Sequence, residues 1–299
     1  MKIGMIGLGK MGANMAERLR RHGHTVVGMD PAVAGADATD LDGLVPLLAD
    51  GDAPRVAWSM VPSGPVTDAT VAGLAERLAP GDVVVDGGNS NFRDSIRHGE
   101  LLAERGIGFV DCGTSGGVWG LENGYALMVG GAPADVATVA PVLEALAPGG
   151  RFAHVGPVGA GHYVKMVHNG VEYGMMQAYA EGYAILDAAP MAIDVTAAIG
   201  SWQEGSVVRS WLLDLLVRAL EETPGLDGIA SVAADSGEGR WTVQEAVTAG
   251  VPAPVISAAL FARFASQRRD DDVTMKVVSA LRNQFGGHAI AREGGEPTR

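Results

Sequence analysis

The stretch that most restricts the possible folds is a glycine-rich turn near the start of the chain. An apolar run over residues 2–6 leads into Gly7-Leu8-Gly9-Lys10-Met11-Gly12, and residues 13–21 then have the pattern of a helix. A second apolar run over residues 25–29 ends in Asp30. A G-x-G-x-x-G turn between a strand and a helix, with an acidic residue after the next strand, is typical of a dinucleotide-binding βαβ unit. This pattern predicts a Rossmann domain.

Each glycine of the turn has a separate predicted role. Gly7 makes the tight turn, Gly9 lets the backbone reach a pyrophosphate, and Gly12 packs the helix on the strand. The pyrophosphate would lie at the helix N-terminus, where unpaired N–H groups and the helix dipole favour anions. Asp30 would accept hydrogen bonds from the ribose 2′-hydroxyl and would repel a 2′-phosphate, and residues 31–32 supply no cation. We therefore predict NAD rather than NADP as the cofactor.

Strand and helix patterns alternate up to about residue 160, as in an α/β Rossmann fold with a doubly wound parallel sheet. Strands are predicted at 55–60, 82–86, 108–112, 125–129 and 151–155, and helices at 66–78, 92–105 and 134–146. Ligands bind beyond the carboxyl ends of such strands, where three polar or glycine-rich turns fall, at 61–64, 87–90 and 113–117. The further residues assigned to the cofactor are Leu8, Lys10, Met11, Met60, Val61, Pro62 and Asn89.

A long predicted helix opens the second half of the chain. Residues 162–187 contain no proline, and their apolar residues recur at helical spacing. At about 100° per residue, Glu172 lies only about 20° around the helix from Lys165 and about 10 Å further along its axis. His168 and Asn169 fall between them, so one face carries Lys, His, Asn and Glu. This spacing suits a short polyol held between an amine and a carboxyl group.

Glycines at positions 159, 161, 170 and 174 surround this polar face. Because an interior glycine costs a helix about 1 kcal/mol relative to alanine, we interpret them as places where another group approaches the backbone closely. An ordinary solvated polar face is the alternative interpretation.

The rest of the second half has no strand pattern and predicts an all-α domain. Helices are predicted at 194–199, 207–222, 242–249, 254–267 and 271–285, the third opening with a capping box from Thr242 to Glu245. The polar segment 293–299 is expected to be disordered. We divide the chain into an NAD-binding Rossmann domain at 1–160 and a helical substrate and dimerisation domain at 161–299.

Three arginines and a histidine in this half are candidates for binding an anion. Arg240 lies in a predicted glycine-rich loop beside Trp241, and Arg263 lies inside an apolar helix. Burying Arg263 there requires either an anionic ligand or a carboxylate partner. Arg282 and His288 flank a glycine-containing segment near the end of the chain.

The amino-acid composition limits which binding partners and which cellular compartment are expected. The 22 Lys and Arg residues against 35 Asp and Glu residues give a net charge of −13, which argues against nucleic acid or an anionic membrane surface. The presence of a single cysteine, Cys112, fits a reducing cytoplasm. We interpret Cys112 as a buried apolar residue. We see neither a signal-peptide pattern nor an apolar run of about 18 residues. No metal is expected, since no cluster has ligand spacing.

These motifs together resemble the decarboxylating 6-phosphogluconate dehydrogenases, in the short form with a single copy of the helical domain. The resemblance runs from Met1 to about His288, and its most specific segments are 7–12, 86–90, 115–117, 165–177 and 285–288. It implies oxidation of 6-phospho-D-gluconate by NAD, with loss of CO₂, to D-ribulose 5-phosphate.

The resemblance also implies a role for each matching residue. Lys165 would be the general base and Glu172 the general acid. The sugar acid would be held by Asn89, Ser115, Gly116, Gly117, His168 and Asn169, and the phosphate by Tyr173, Arg240, Arg263, Arg282 and His288. A partner subunit would donate Arg282 and His288, so a homodimer or homotetramer is expected.

Three departures from the family pattern accompany this resemblance. Arg240 stands where the long enzymes usually carry lysine, Asp30 replaces the Asn-Arg pattern of NADP users, and the loop 118–125 differs from the long form.

Two alternatives are a 3-hydroxyisobutyrate-type β-hydroxyacid dehydrogenase and a non-catalytic NAD-sensing protein. The first shares the fold and the lysine but gives no role to Glu172, Arg240 or Arg263. Retention of both the base and the acid argues against the second.

Overall fold

A seven-stranded sheet forms the framework of the N-terminal half. Its strands are β1 (Lys2–Ile6), β2 (Thr25–Met29), β3 (Val56–Ser59), β4 (Val83–Asp86), β5 (Gly108–Ser115), β6 (Ala126–Gly131) and β7 (Ala153–Gly156). They lie in the order β2-β1-β3-β4-β5-β6-β7. Every residue of β3 and β4 is buried, as expected for parallel strands that are covered on both faces. In this computed structural model the described residues are 1–268 and 272–292.

The predicted doubly wound parallel sheet is confirmed as a mostly parallel sheet, in which the last two strands run antiparallel to the other five. β5 pairs with β6 in antiparallel register, from Val110 opposite Gly131 to Ser115 opposite Ala126, and β7 is parallel to β6. The cause is the connection between β5 and β6, residues 116–125. A parallel return needs a crossover of about a dozen residues or more, usually with a full helix, whereas this connection contains only short helical turns.

Helices cover both faces of the sheet, as the doubly wound prediction requires. They are α1 (Lys10–Arg21), α2 (Leu41–Leu47), α3 (Pro65–Ala75), α4 (Phe92–Ala103), α5 (Gly120–Asn123) and α6 (Pro133–Leu146). Met15 of α1 and Val139 of α6 belong to one buried apolar cluster. Leu44 of α2, Val71 of α3 and Leu102 of α4 belong to the other. The first half is therefore an α/β Rossmann fold with two apolar cores.

The carboxyl ends of β3, β4 and β5 lie at the same edge of the sheet, because these neighbouring strands are parallel. The turns that begin at residues 60, 87 and 116 therefore share that edge, as predicted. Residues 113–115 are strand rather than turn, since they pair with residues 126–128 of β6.

Among its described residues the second half contains helices joined by loops and no strand, apart from one isolated bridge between Ile229 and Arg292. Its helices are α7 (Ala160–Asp187), α8 (Val195–Gly200), α9 (Trp211–Glu222), α10 (Glu238–Thr248), α11 (Pro254–Ser266) and α12 (Val273–Gly286). Contacts divide the chain into two compact units, and the boundary in the sequence falls between Lys165 and Met166, within α7. The predicted helix start at 271 and the predicted disorder of 293–299 lie outside the described residues.

Two helix starts in this half differ from the predictions. α10 begins at Glu238, so Thr242 lies inside the helix and the predicted capping box is wrong. Thr242 Oγ1 instead donates to the carbonyl oxygens of Met166, at 2.7 Å, and Glu238, at 2.8 Å. α9 begins at Trp211 rather than at residue 207, because the Ser210 side chain caps it by accepting from the Leu213 N–H.

No helix in the described part of the chain is both long enough and apolar enough to cross a bilayer.

Candidate functional site

The glycine-rich loop between β1 and α1 has the backbone that each of its glycines was predicted to provide. Gly7 has φ of +88°, and a Cβ there would lie 2.9 Å from the Met60 carbonyl oxygen. A Cβ on Gly12 would overlap the Gly7 carbonyl oxygen, so this glycine allows α1 to pack against the turn. A Cβ on Gly9 would meet no described atom within 4 Å. The backbone at Gly9 is therefore open to a ligand, as a pyrophosphate site requires.

The N-terminus of α1 supports the same interpretation. No described side chain caps it, and its first turn carries no acidic residue. Lys10 is exposed and Met11 is half-buried in that turn. The free N–H groups and the positive end of the helix dipole thus remain available to an anion.

Asp30 follows β2 and is tied to the glycine-rich loop. Its Oδ2 accepts from the Leu8 N–H and its Oδ1 from the Ala32 N–H, both at 2.8 Å. These backbone hydrogen bonds lower the pKa of the Asp30 carboxyl, the bond from Ala32 having the largest effect and that from Leu8 the next largest. Asp30 is therefore ionised at neutral pH, so it can accept a bond from a ribose hydroxyl and would repel a 2′-phosphate. The loop and Asp30 together fit NAD.

The turn after β4 is shaped by a buried aspartate. Asp86 is 1% exposed, and its two oxygens accept from the Gly88 N–H at 3.0 Å and the Ser90 hydroxyl at 2.7 Å. The turn presents Asn89 as an exposed residue.

The neighbouring turns complete this edge of the sheet. In the turn after β3, Met60 and Val61 are half-buried and Pro62 is exposed. After β5, which ends at Ser115, Gly116 and Gly117 have φ of +137° and +54°. Residues other than glycine rarely adopt such φ angles, so the backbone conformation favours glycine at both positions.

Lys165 is held close to the sheet by the start of α7. A Cβ on Gly113 of β5 would overlap the Lys165 Cβ, and a Cβ on Gly161 would overlap the carbonyl oxygen of Asp111. Glycine is therefore required on both sides of the contact between helix and sheet. The close approach predicted at Gly161 is therefore made by the backbone of β5.

The N-terminus of α7 is capped by Asp111, which is completely buried. Its Oδ1 accepts from the Gly159 N–H at 2.6 Å and its Oδ2 from the His162 N–H at 2.8 Å. The His162 ring also lies 2.7 Å from the Ser95 hydroxyl, through its Nδ1. A carboxylate at this end of a helix stabilises it through hydrogen bonds and the helix dipole, and here it attaches α7 to β5.

The polar face of α7 continues beyond Lys165 with a contact network of its own. His168 Nδ1 lies 3.0 Å from Asn169 Oδ1 and 3.8 Å from Glu172 Oε2. Asn169 is 9% exposed, and the Glu172 side chain is 18% exposed. With the His168 side chain 37% exposed, the face is partly buried, which argues against an ordinary solvated surface. Gly170 is approached by protein, because a Cβ there would lie 2.6 Å from Thr242 Cγ2.

Arg263 of α11 is 2% exposed and stacks on Tyr173 of α7, with its guanidinium carbon 3.4 Å from the ring centroid. Burial lowers the pKa of Arg263 to about 10, so the group stays protonated at neutral pH. No described carboxylate lies within ion-pair distance of it. Its bonds go to the Ala234 carbonyl oxygen, at 3.4 Å, and the Met176 sulfur, at 3.9 Å. The structural ion pair considered above is therefore absent among the described residues.

Arg240 lies in the first turn of α10 rather than in the predicted loop. Its Nη2 is 2.9 Å from Asp235 Oδ2, and its guanidinium carbon is 5.2 Å from the centroid of the Phe264 ring. The Tyr173 hydroxyl donates to the other oxygen of Asp235 at 3.1 Å. Tyr173 and Arg240 are thus joined through one carboxylate that the sequence analysis did not single out.

Arg282 of α12 belongs to the same group of charges in its own chain. Burial lowers the pKa of Arg282, while Tyr173, Glu238, Asp235 and Glu172 act in the opposite direction. The arginine therefore lies within electrostatic range of these residues of its own chain. His288 is exposed beyond the end of α12, with its ring edge-on to Phe285 at 6.1 Å.

Three aspartates that shape the site, Asp86, Asp111 and Asp235, were missed as functional residues. Asp86 could have been found from its position before Gly88 and Ser90, a spacing typical of an Asx turn. Asp111 and Asp235 have no such local signal. Across the described residues, no group of three His, Cys, Asp or Glu side chains is placed to hold a metal.

A dinucleotide-binding sheet followed by a helical unit defines a class of NAD-linked oxidoreductases. Residues 2–156 match the family model described as the NAD binding domain of 6-phosphogluconate dehydrogenase. Residues 161–293 match the C-terminal domain of 6-phosphogluconate dehydrogenase. The chain belongs to the 6-phosphogluconate dehydrogenase family. The predicted family and the predicted cofactor class are confirmed.

The chain is similar to two named members of this family. It is 43% identical to the NAD(+)-dependent, decarboxylating 6-phosphogluconate dehydrogenase of Haloferax volcanii, covering 98% of this chain and 99% of that protein. It also resembles the solved 6-phosphogluconate dehydrogenase of Plasmodium falciparum, with a TM-score of 0.80 and 25% identity over 95% of this chain and 70% of that one. The full-length match to the first and the partial match to the second agree with the short form.

The fold is shared with a further class of enzyme. A solved 3-hydroxyisobutyrate dehydrogenase of Mycobacterium tuberculosis has a TM-score of 0.72 and 24% identity, over 93% of this chain and 98% of that one. At this level of identity the likeness concerns the fold alone.

Proposed function

We propose that the protein oxidises 6-phospho-D-gluconate with NAD and releases CO₂ and D-ribulose 5-phosphate. The observation that carries the proposal is Arg263, a buried and protonated arginine without a described carboxylate at ion-pair distance. A buried cation needs an anionic partner, and the phosphate of the substrate is such a partner. Arg282 and Arg240 lie in the same group of helices around Tyr173. A 3-hydroxyisobutyrate substrate has no phosphate and gives these arginines no role.

The proposed chemistry uses the two ends of the polar face of α7. Bound NAD would supply the acceptor for the hydride that leaves the substrate carbon. Lys165, in its neutral form, takes the proton of the hydroxyl on that carbon. The resulting β-keto acid loses CO₂ because its carbonyl group accepts the electrons, and the protonated Lys165 stabilises the developing negative charge. Glu172 then gives its proton to the enediol carbon.

The remaining roles follow the family resemblance. Asn89, Ser115, Gly116, Gly117, His168 and Asn169 would hold the sugar acid, and His288 would join the phosphate ligands. The protein would work in the cytoplasm as a homodimer or homotetramer.

The test is a mixture of purified protein, NAD and 6-phosphogluconate, in which NADH and released CO₂ are followed together. We expect equal amounts of both products and no turnover of 3-hydroxyisobutyrate. Lys165→Met should lower kcat by about 10³-fold or more, and Glu172→Gln by about 10²-fold, with NAD affinity unchanged. Glu181→Gln, an exposed glutamate further along α7, is the matched control. NAD binding without turnover of either substrate would instead favour a sensor protein.

A further inference from the structure

We propose that Asp235 is a positioning residue that holds the Arg240 guanidinium in the orientation in which it meets the substrate phosphate. The inference rests on the proposed function and adds a residue to which that function gives no role.

The Asp235 carboxylate is saturated with donors and almost closed to solvent, its side chain being 3% exposed. One oxygen, Oδ1, accepts from the Tyr173 hydroxyl at 3.1 Å and from the Gly237 N–H at 3.0 Å. The other, Oδ2, accepts from Arg240 through Nε at 3.1 Å and Nη2 at 2.9 Å. The first oxygen therefore fixes the carboxylate, and the second fixes the arginine.

The Tyr173 ring, which supports this carboxylate, is itself held by contacts from two other helices. The Arg263 guanidinium stacks on the ring at 3.4 Å, and a Cβ on Gly239 would overlap its edge. The ring cannot move without disturbing α10 or α11. The position of Asp235 is therefore set by the packing of three helices.

Arg240 needs such a constraint because its side chain is 54% exposed. A free arginine loses about 2 kcal/mol of rotamer entropy when a ligand orders it. Asp235 engages the Nε and Nη2 edge, and the Phe264 ring lies 5.2 Å from the guanidinium carbon. The hydrogens of Nη1 remain directed away from Asp235, so the arginine can hold its carboxylate on one edge and meet a phosphate with the other.

This arrangement also gives a reason for arginine, rather than lysine, at position 240. A guanidinium has five N–H donors in a rigid plane and can serve two anions at once from separate edges. An ammonium group is a single point of charge on a flexible stem, and Asp235 would draw it away from the phosphate.

The experiment compares Asp235→Asn with wild type, using 6-phosphogluconate turnover and the rise in Tm that inorganic phosphate causes. The amide keeps an oxygen for Tyr173 and turns an NH₂ group towards Arg240. We expect the KM for 6-phosphogluconate to rise about ten-fold, as for the loss of one charge-assisted bond. The kcat and the KM for NAD should stay within about two-fold, and the phosphate-dependent rise in Tm should shrink. Asp214→Asn, an exposed aspartate of α9, is the matched control.

The double variant Asp235→Asn with Arg240→Ala separates positioning from a general structural role. If Asp235 acts through Arg240, the double variant has the same KM as Arg240→Ala alone. Equal effects of Asp235→Asn in both backgrounds, or an unchanged KM in the single variant, overturn the inference. If Asp235→Asn does not fold, Asp235→Glu, which retains the charge, replaces it. Its effect on the KM is likewise compared in the wild-type and Arg240→Ala backgrounds.

A failure of the proposed function is distinguishable from a failure of this inference. If wild type does not turn over 6-phosphogluconate, the proposed function fails. In that case the rise in Tm caused by inorganic phosphate tests the inference. Asp235→Asn must reduce this rise in the wild-type background and must leave it unchanged in the Arg240→Ala background.

Discussion

Single buried carboxylates set much of the local geometry in this protein. Asp86 shapes the turn that presents Asn89, Asp111 caps α7, and Asp235 joins Tyr173 to Arg240. Each accepts at least one backbone N–H bond, in keeping with the rule that buried polar groups are hydrogen-bonded. At the scale of the residue, the site therefore depends on aspartates that do not act on the substrate.

Asp30 is expected to decide the preference between the two dinucleotides. Asp30→Asn removes the charge that repels a 2′-phosphate and keeps one oxygen that can accept from the Leu8 N–H. We expect the ratio of kcat/KM for NADP to that for NAD to rise about ten-fold or more, since like charges in contact cost several kcal/mol. Asp52→Asn, an exposed aspartate of the same unit, should leave the ratio unchanged. An unaltered ratio in Asp30→Asn would show that another residue sets the preference.

Tyr125 buries a hydroxyl group that has no hydrogen-bond partner among the described residues. Because such a group costs roughly 1–3 kcal/mol, Tyr125→Phe should stabilise the fold by about 1 kcal/mol. Burial also raises the pKa of Tyr125 from 10.0 to about 12. A raised folded-state pKa contributes stability that is present below pH 10 and lost as the pH rises to about 12.

Denaturant unfolding at pH 8 and at several values between pH 10 and 11.5 checks both expectations. The free energy of unfolding of Tyr125→Phe should exceed that of wild type at pH 8 and should decline less at high pH. A destabilised variant with an unchanged alkaline decline would show that the hydroxyl is satisfied in solution.

At the scale of the element, α7 is placed by close contact with the sheet rather than by side-chain interlocking. Gly113 and Gly161 let the helix approach β5, and Asp111 caps the helix from the same strand. Glycines at such contacts cost helix propensity but allow a backbone separation that alanine would prevent. The close approach predicted at these glycines is made by the protein itself at Gly161, through Asp111, and at Gly170, through Thr242.

Gly113→Ala tests this placement, because its Cβ would overlap the Lys165 Cβ, which cannot rotate away. We expect kcat to fall at least about ten-fold, since a displacement of about 1 Å can cost 10²-fold. Overpacking should also lower stability by about 1–3 kcal/mol. Gly182→Ala, on the same helix, places its Cβ in open space and should keep full activity while gaining up to about 1 kcal/mol. Circular dichroism melts and steady-state kinetics of both variants provide the comparison.

At the scale of the whole molecule, one chain already brings together Tyr173, Arg240, Arg263 and Arg282. Arg282 lies within electrostatic range of Glu172 of its own chain. We therefore expect a single subunit to supply this arginine. The resemblance to the family implies the opposite, namely an arginine that enters from a partner.

Mixing two inactive variants, Lys165→Met and Arg282→Ala, decides between these arrangements. If each subunit uses its own Arg282, mixed oligomers stay inactive, and this is the expected result. If the arginine comes from the partner, random mixing in a dimer restores about 25% of wild-type activity, since half of the dimers then contain one intact site. Sedimentation of differently tagged subunits establishes that mixing has occurred. The same design with His288→Ala tests the other residue assigned to a partner.

Much of the first half could be predicted because its signals are local. The roles of Gly7, Gly9 and Gly12 follow from the backbone of one tight turn, and the shared edge of the three turns follows from parallel neighbouring strands. α7 was predicted from hydrophobic periodicity and the absence of proline. These features involve residues close together in the chain, so one short segment contains the interactions that determine each of them.

Other features could not be predicted from local patterns. The glycines around Arg240 predict a loop, whereas the segment is helical and packs against Tyr173. Thr242 has the spacing of a cap, yet its hydroxyl bonds to Met166, 76 residues away. In both cases a tertiary contact outweighs a local preference of about 1 kcal/mol.

By itself, the amino-acid sequence determined the dinucleotide-binding fold, the family, the cofactor class and the helix that carries Lys165 and Glu172. Only the tertiary structure decided the reversal of β6 and β7, the capping of α7 by Asp111 and the pairing of Arg240 with Asp235. The physical reason is that turn geometry and helical periodicity act over a few residues, whereas a buried carboxylate is assigned its donors by chain segments that meet only after folding.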